Sequence, residues 1–130
     1  MDATQKEIAA YLAEVKASVR ARKYRIELNE KRIDNMKLQF DFVISSDDIR
    51  NILLSLEVED FSEKLQNEHA GYEDEMLYVF GKDVILLERF GTGEKLVPLY
   101  IKFNKLKNLF VIVISFHKQK HPLRYPFKRI

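Results

Sequence analysis

At 130 residues the chain is the size of one domain, with room for a real core and for one active surface. It has no cysteine, which excludes disulfides, thiolate catalysis and thiolate-held zinc or iron–sulfur centres. The net charge of +2 conceals an asymmetry: residues 1–94 hold 13 Lys/Arg against 20 Asp/Glu, a balance of −7, whereas residues 95–130 hold 9 Lys/Arg and no acid.

No apolar run reaches the ~18 residues of a membrane span, and MDATQKEIAA is too polar for a signal peptide, so the expectation is a soluble, cytoplasmic protein without a membrane partner. Thr4 and Glu7 have capping-box spacing, and Ile8, Tyr11, Leu12, Val15 and Val19 recur on one helical face, predicting a first helix over residues 5–22. A short second helix is expected over 30–36, with KYRIELNEKR before it able to begin as an extended piece. Ser45 or Ser46 caps a third helix through Ile49, Ile52, Leu53 and Leu56, with Asp47 and Asp48 in the first turn where the helix dipole favours them.

Residues 57–75 have no clear period and read as a connector from helices to sheet. Beyond them MLYVFGKDVILLERF, rich in aromatic and β-branched residues, reads as strand broken near 81–83. GTGE at 91–94 is a turn, and VPLYIKF and LFVIVISFH are two more strands joined by NKLKN. The order implies one α+β domain, residues 1–130, with N-terminal helices packed on one face of a curved, mainly antiparallel sheet of about four strands.

Strand alternation sorts the last two strands into faces. If their turn centres on Leu106 and Lys107, then Leu99, Ile101, Phe103, Phe110, Ile112, Ile114 and Phe116 form an oily face for the helices. The other face displays Tyr100, Lys102, Ser115 and His117 over a floor of Val111 and Val113. A cation, a phenol and an imidazole on a rigid sheet suit phosphodiester chemistry, and Lys82 and Arg89 from the preceding strands are placed to join them. An ordinary solvated face with one lysine and one histidine fits the same pattern.

The tail HPLRYPFKR is held extended by two X-Pro pairs and interleaves Arg124, Lys128 and Arg129 with Tyr125 and Phe127, a mixture suited to single-stranded nucleic acid. With Lys118, Lys120 and Arg89 it supplies the candidate RNA contacts. Packing of Tyr125 and Phe127 on the sheet edge explains the aromatics equally well, and the cations could equally balance acidic helices. GTGEK lacks P-loop spacing, and Glu73, Asp74 and Glu75 lack an accompanying histidine motif, so no metal or other cofactor is expected. Ser115 and His117 lack an acid and a nucleophile elbow, and His69 and His121 read as surface residues.

The segments ILLSLEVEDF at 52–61, MLYVFGKDV at 76–84, LYIKF at 99–103 and ISFHKQKHPLRYPFK at 114–128 match, in order and spacing, those of bacterial MqsR-type toxins, which the chain resembles over roughly its last 80 residues. These are small RelE-like ribonucleases of type II toxin–antitoxin modules. The resemblance implies a metal-independent mRNA-cleaving endoribonuclease in which the ribose 2′-hydroxyl attacks the adjacent phosphate, and a cognate antitoxin as protein partner. It further implies His117 as general acid or base, Lys102 and Lys82 at the phosphate, and Tyr100 orienting ribose or base. Better-known members carry lysine after the SF pair, so a histidine or a lysine moves the proton. The alternative from another class is a non-catalytic RNA-binding or protein-interaction domain using the same basic face.

Overall fold

Thr4 Oγ1 accepts the Glu7 N–H at 3.0 Å and opens helix α1, Gln5–Arg20, whose apolar stripe Ile8, Leu12, Val15 and Val19 is buried. The structure, a computed structural model, describes residues 2–28 and 32–128. The helix ends two residues short of the expected boundary because Arg22 turns to φ 59°. Ser18 Oγ then donates to the Leu109 carbonyl at 2.6 Å, tying the helix end to a distant turn.

Lys23 passes directly into β1, Tyr24–Ile26, so the extended piece allowed by KYRI is a strand. Helix α2 runs Ile33–Asp41, later than the expected 30–36, and Glu30 lies outside the described residues. After β2, Phe42–Val43, Ser45 and not Ser46 caps α3, Ser46–Ser55: its hydroxyl accepts the Asp48 N–H while the Asp48 carboxylate accepts the Ser45 N–H. A short 3-10 turn, Val58–Asp60, leads into β3, Phe61–Gln66, a strand inside the expected connector. Then follow β4, Met76–Glu88; β5, Glu94–Lys105; and β6, Val111–Lys118.

The described residues thus form three α-helices and a six-stranded mixed sheet, an α+β fold larger in its sheet than the four strands expected. The order is β1-β6-β5-β4-β2, with β3 also on β4, and only β1 with β6 is parallel. The break expected near 81–83 does not occur. Gly81 keeps β4 continuous where the C-terminal tail crosses it, since a Cβ there would run into Tyr125 and Leu123.

One face of the sheet packs Phe80, Leu86, Val97, Leu99, Ile101, Phe103, Val111, Val113 and Phe116 against α1 and α3. Burying each of the large side chains contributes about 2 kcal/mol, which is what fixes strand phase. On the other face, Leu123 and Tyr125 of the C-terminal tail lie against Gly81, beside Tyr100. Among the described residues no helix is long and apolar enough to cross a membrane.

Candidate functional site

The open face is set by two β-bulges. In the β5–β6 pair, Lys102 lies opposite Ser115 but Phe103 lies opposite Val113, so Ile114 is an extra residue. The loop from 106 to 110 is odd in length and by itself would swap the faces; the bulge swaps them back. Tyr100 therefore pairs with His117 and Lys102 with Ser115, the quartet that alternation predicts. Its floor differs from the expectation. Val111 and Val113, on the far side of the bulge, are in the core, and Ile112 and Ile114 take their place beneath the open face.

Asn35 of α2 holds this bulge. Its Nδ2 donates to the Ile114 carbonyl at 2.9 Å and to the Glu27 carbonyl at 2.8 Å, and its Oδ1 accepts the Phe116 N–H at 2.8 Å. The side chain is buried and acts as one more strand residue along the edge of β6, satisfying backbone groups that the bulge leaves unpaired. Nothing in the sequence marks Asn35 for this, because two of its three partners are about 80 residues away.

At the centre of the face the Tyr100 and His117 rings stack, 5.2 Å between centroids and 12° between planes. His117 Nδ1 lies 2.8 Å from the Lys118 carbonyl, an acceptor, so Nδ1 carries the hydrogen and Nε2 is the nitrogen that gains and loses a proton. Burial, with the Glu63 charge nearby, pushes the Tyr100 hydroxyl up, which keeps it a donor. Burial and the Arg32 cation push the Lys102 ammonium down, partly offset by Glu63. Among the described residues Lys102 has no hydrogen-bond or ion-pair partner.

The remaining predicted residues are dispersed. Lys82 stands opposite Leu99 and so points to the helix-covered face, where its Nζ lies 3.3 Å from the Asp60 carboxylate and 3.2 Å from the Ser55 carbonyl; it cannot share a phosphate with Lys102. Arg89 donates to the carbonyls of Gln39, Phe40 and Phe42, each at 3.1 Å, and caps the end of α2 instead of joining the quartet. Lys120 pairs with Asp34 at 2.7 Å, and Lys105 with Glu14 at 2.8 Å, so part of the cationic excess does balance acidic helices. Lys118 and Arg124 are exposed.

Tyr125 is half-buried over Gly81, its hydroxyl accepting from Gln119 Nε2 at 3.2 Å, and Lys128 lies 5.1 Å over its ring. Phe127 stacks on Phe61 at 5.8 Å. The tail thus packs its aromatics on the sheet and turns its cations outward. Arg129 lies outside the described residues.

Two clefts flank the quartet. One, about 510 Å³, opens beside His117 between α2 and the end of the sheet, with Lys118, Lys120, Asp34 and Phe90 in its walls. The other, about 490 Å³, opens beside Lys102 and is lined by Arg32, Gln66, His69, Leu77 and Ile114. Sequence reading missed Arg32 and set His69 aside as a surface residue. Glu75, from the acidic cluster, is tied to Asn67 and Asn104, and among the described residues no group of three His, Asp or Glu is placed to hold a metal. No protein-family model, curated protein or solved structure matches the chain.

Proposed function

We propose that the protein is a metal-independent endoribonuclease acting on mRNA, the toxin of a toxin–antitoxin module, with the open sheet face as its active surface. The observation that carries this reading is the Tyr100–Lys102–Ser115–His117 quartet, in which the histidine has one nitrogen committed to a backbone carbonyl and the lysine is half-buried with no hydrogen-bond or ion-pair partner among the described residues. The resemblance of ISFH and YPFK to MqsR-type toxins points the same way.

Cleavage through the 2′-hydroxyl requires charge stabilisation on the phosphorane and proton transfer at the two apical oxygens. Lys102 supplies the charge from a half-buried position, and an anion relieves the cost of that burial. His117 Nε2 moves a proton, in either direction, because its Nδ1–H bond to Lys118 is kept in both protonation states. Tyr100 keeps the imidazole in plane and offers its own hydroxyl to ribose or phosphate. Lys118, Arg124 and Lys128 are placed on the outer rim to hold flanking backbone.

The test is incubation of the purified protein, in excess EDTA, with a long unstructured RNA beside His117→Ala. The expected result is discrete fragments ending in 2′,3′-cyclic phosphate, reduced by 10²-fold or more, on the order of a lost acid–base group, in the variant. Intact RNA both here and in a translating extract would overturn the reading, and salt-dependent binding without cleavage would favour a non-catalytic RNA-binding domain.

A further inference from the structure

β3 contains the second bulge of the sheet. Phe61 lies opposite Phe80 but Glu63 lies opposite Val79, so Ser62 is an extra residue and the strand changes phase across it. Phe61 consequently faces the core, and Glu63, two residues on, faces the open side. Val79 lies opposite Lys102, and Lys102 opposite Ser115. Glu63, Val79, Lys102 and Ser115 therefore form one row across four strands, with Tyr100 and His117 in the adjoining row. Lys102 stands between Glu63 and His117, about two strand spacings (~10 Å) from the first and about 7–8 Å diagonally from the second.

The carboxylate is exposed and, among the described residues, has no hydrogen-bond or ion-pair partner; Lys64, beside it in the strand, is held on the opposite face by Glu7 at 3.1 Å. Its charge is felt at Lys102 and at Tyr100. Each end of the row is re-aimed by its own bulge, and between the ends lies the cation suited to a phosphate. In-line displacement has the same form, with attacking and leaving oxygens on opposite sides of the phosphorus and a base and an acid beyond them.

We infer that Glu63 is the general base of the reaction and His117 its general acid, with the phosphodiester seated over Lys102. This rests on the ribonuclease reading above. The Glu63 carboxylate takes the 2′-hydroxyl proton as the 2′-oxygen bonds to phosphorus. The bond from phosphorus to the 5′-oxygen breaks, and the Nε2–H of the His117 imidazolium protonates that oxygen. The products are a 2′,3′-cyclic phosphate and a 5′-hydroxyl end, and proton exchange with water restores a charged Glu63 and a charged His117.

The direction of proton transfer is readable from pH. Glu63 is faced by Lys102 and Tyr100; His117 is faced by Tyr100, the Lys118 carbonyl and, from α2, Asp34, which itself holds Lys120. The profile of kcat/KM should rise on its acidic limb as Glu63 deprotonates and fall on its basic limb as His117 loses its proton. The experiment measures that profile for the unaltered protein, Glu63→Gln and His117→Ala, together with affinity for a non-cleavable RNA bearing a 2′-deoxy residue at each scissile step.

Glu63→Gln is expected to lower kcat/KM by about 10²–10⁴-fold, to flatten the acidic limb, and to leave affinity equal or higher, since it removes a negative charge beside the cations. His117→Ala should flatten the basic limb instead. Cleavage by Glu63→Gln within about threefold of the unaltered protein, with both limbs kept, would overturn the role of Glu63 while leaving the ribonuclease reading intact, and would make the residue an edge-strand charge only. An unaltered protein that leaves RNA whole, free or in a translating extract, would overturn both. The position is exposed, so an unchanged thermal transition is expected to show that Glu63→Gln folds.

Discussion

On the helix-covered face Lys82 reaches the Asp60 carboxylate at 3.3 Å and the Ser55 carbonyl at 3.2 Å, and its charge serves to join β4 to the end of α3. One strand away, on the open face, Lys102 is partly stripped of water, lies near the cation of Arg32 and has no partner among the described residues. The two residues have the same chemistry and opposite surroundings, and backbone phase alone separates them. A charge met by a counterion stabilises the fold; a charge desolvated and unmet costs stability and waits for an anion.

The largest effect that bears on this contrast is on the covered side. Phe103 is fully buried against Phe80, and Phe103→Ala should cost about 3–5 kcal/mol in denaturant unfolding, a large part of the ~5–15 kcal/mol expected of a domain. Its neighbour on the open side should behave in the reverse way. Lys102→Met is expected to cut RNA cleavage by about 10²-fold or more while leaving or raising Tm, because the stem still packs and the desolvated charge is gone.

The pH dependence has a matching sign. The folded state holds the Lys102 pKa below its ordinary 10.5, so in the window below that value the unfolded chain binds more protons and stability gains with rising pH. Lys102→Met should remove that gain, and a variant that instead loses stability without losing cleavage would break the contrast.

Smaller effects sharpen it. Asn35→Ala should cost about 2–3 kcal/mol and speed amide exchange at Phe116, since it strands two carbonyls and one N–H beside the bulge; unchanged exchange would show that β6 keeps its phase without the clamp. Lys82→Met should cost only about 1 kcal/mol, the pair being partly exposed, and should leave cleavage untouched. Loss of cleavage from Lys82→Met at unchanged stability would mean that both faces serve the reaction.

Periodicity made α1 and α3 legible, because each depends on residues three or four apart, whereas the Tyr100–His117 face came out as read only because the odd loop and the bulge at Ile114 cancel. What stayed hidden depends on contacts distant in sequence or on broken phase. An assumed break at Gly81 uncoupled the parity of Lys82 from that of Tyr100, and so placed it on the wrong side; the real reason for the glycine is a tail 40 residues on. β3 was invisible because the bulge at Ser62 interrupts its alternation, and Glu63 was lost with it. Arg89 carried no signal of its capping role, since the carbonyls it meets lie nearly 50 residues earlier.

The odd loop at 106–110 and the extra residue at Ile114 act as two frameshifts of opposite sign. Were Ile114 drawn into the ladder as an ordinary strand residue, with the loop kept, the outer half of β6 would fall out of frame, turning the His117 imidazole inward and the Phe116 ring out. Loss of Ile114 itself would keep the frame, because Val113 and Ser115 would then alternate as ordinary neighbours. Descendants of this chain can therefore shed the extra residue, or shorten the turn by one, without exchanging the two faces of β6, whereas sliding the strand past its bulge would exchange them.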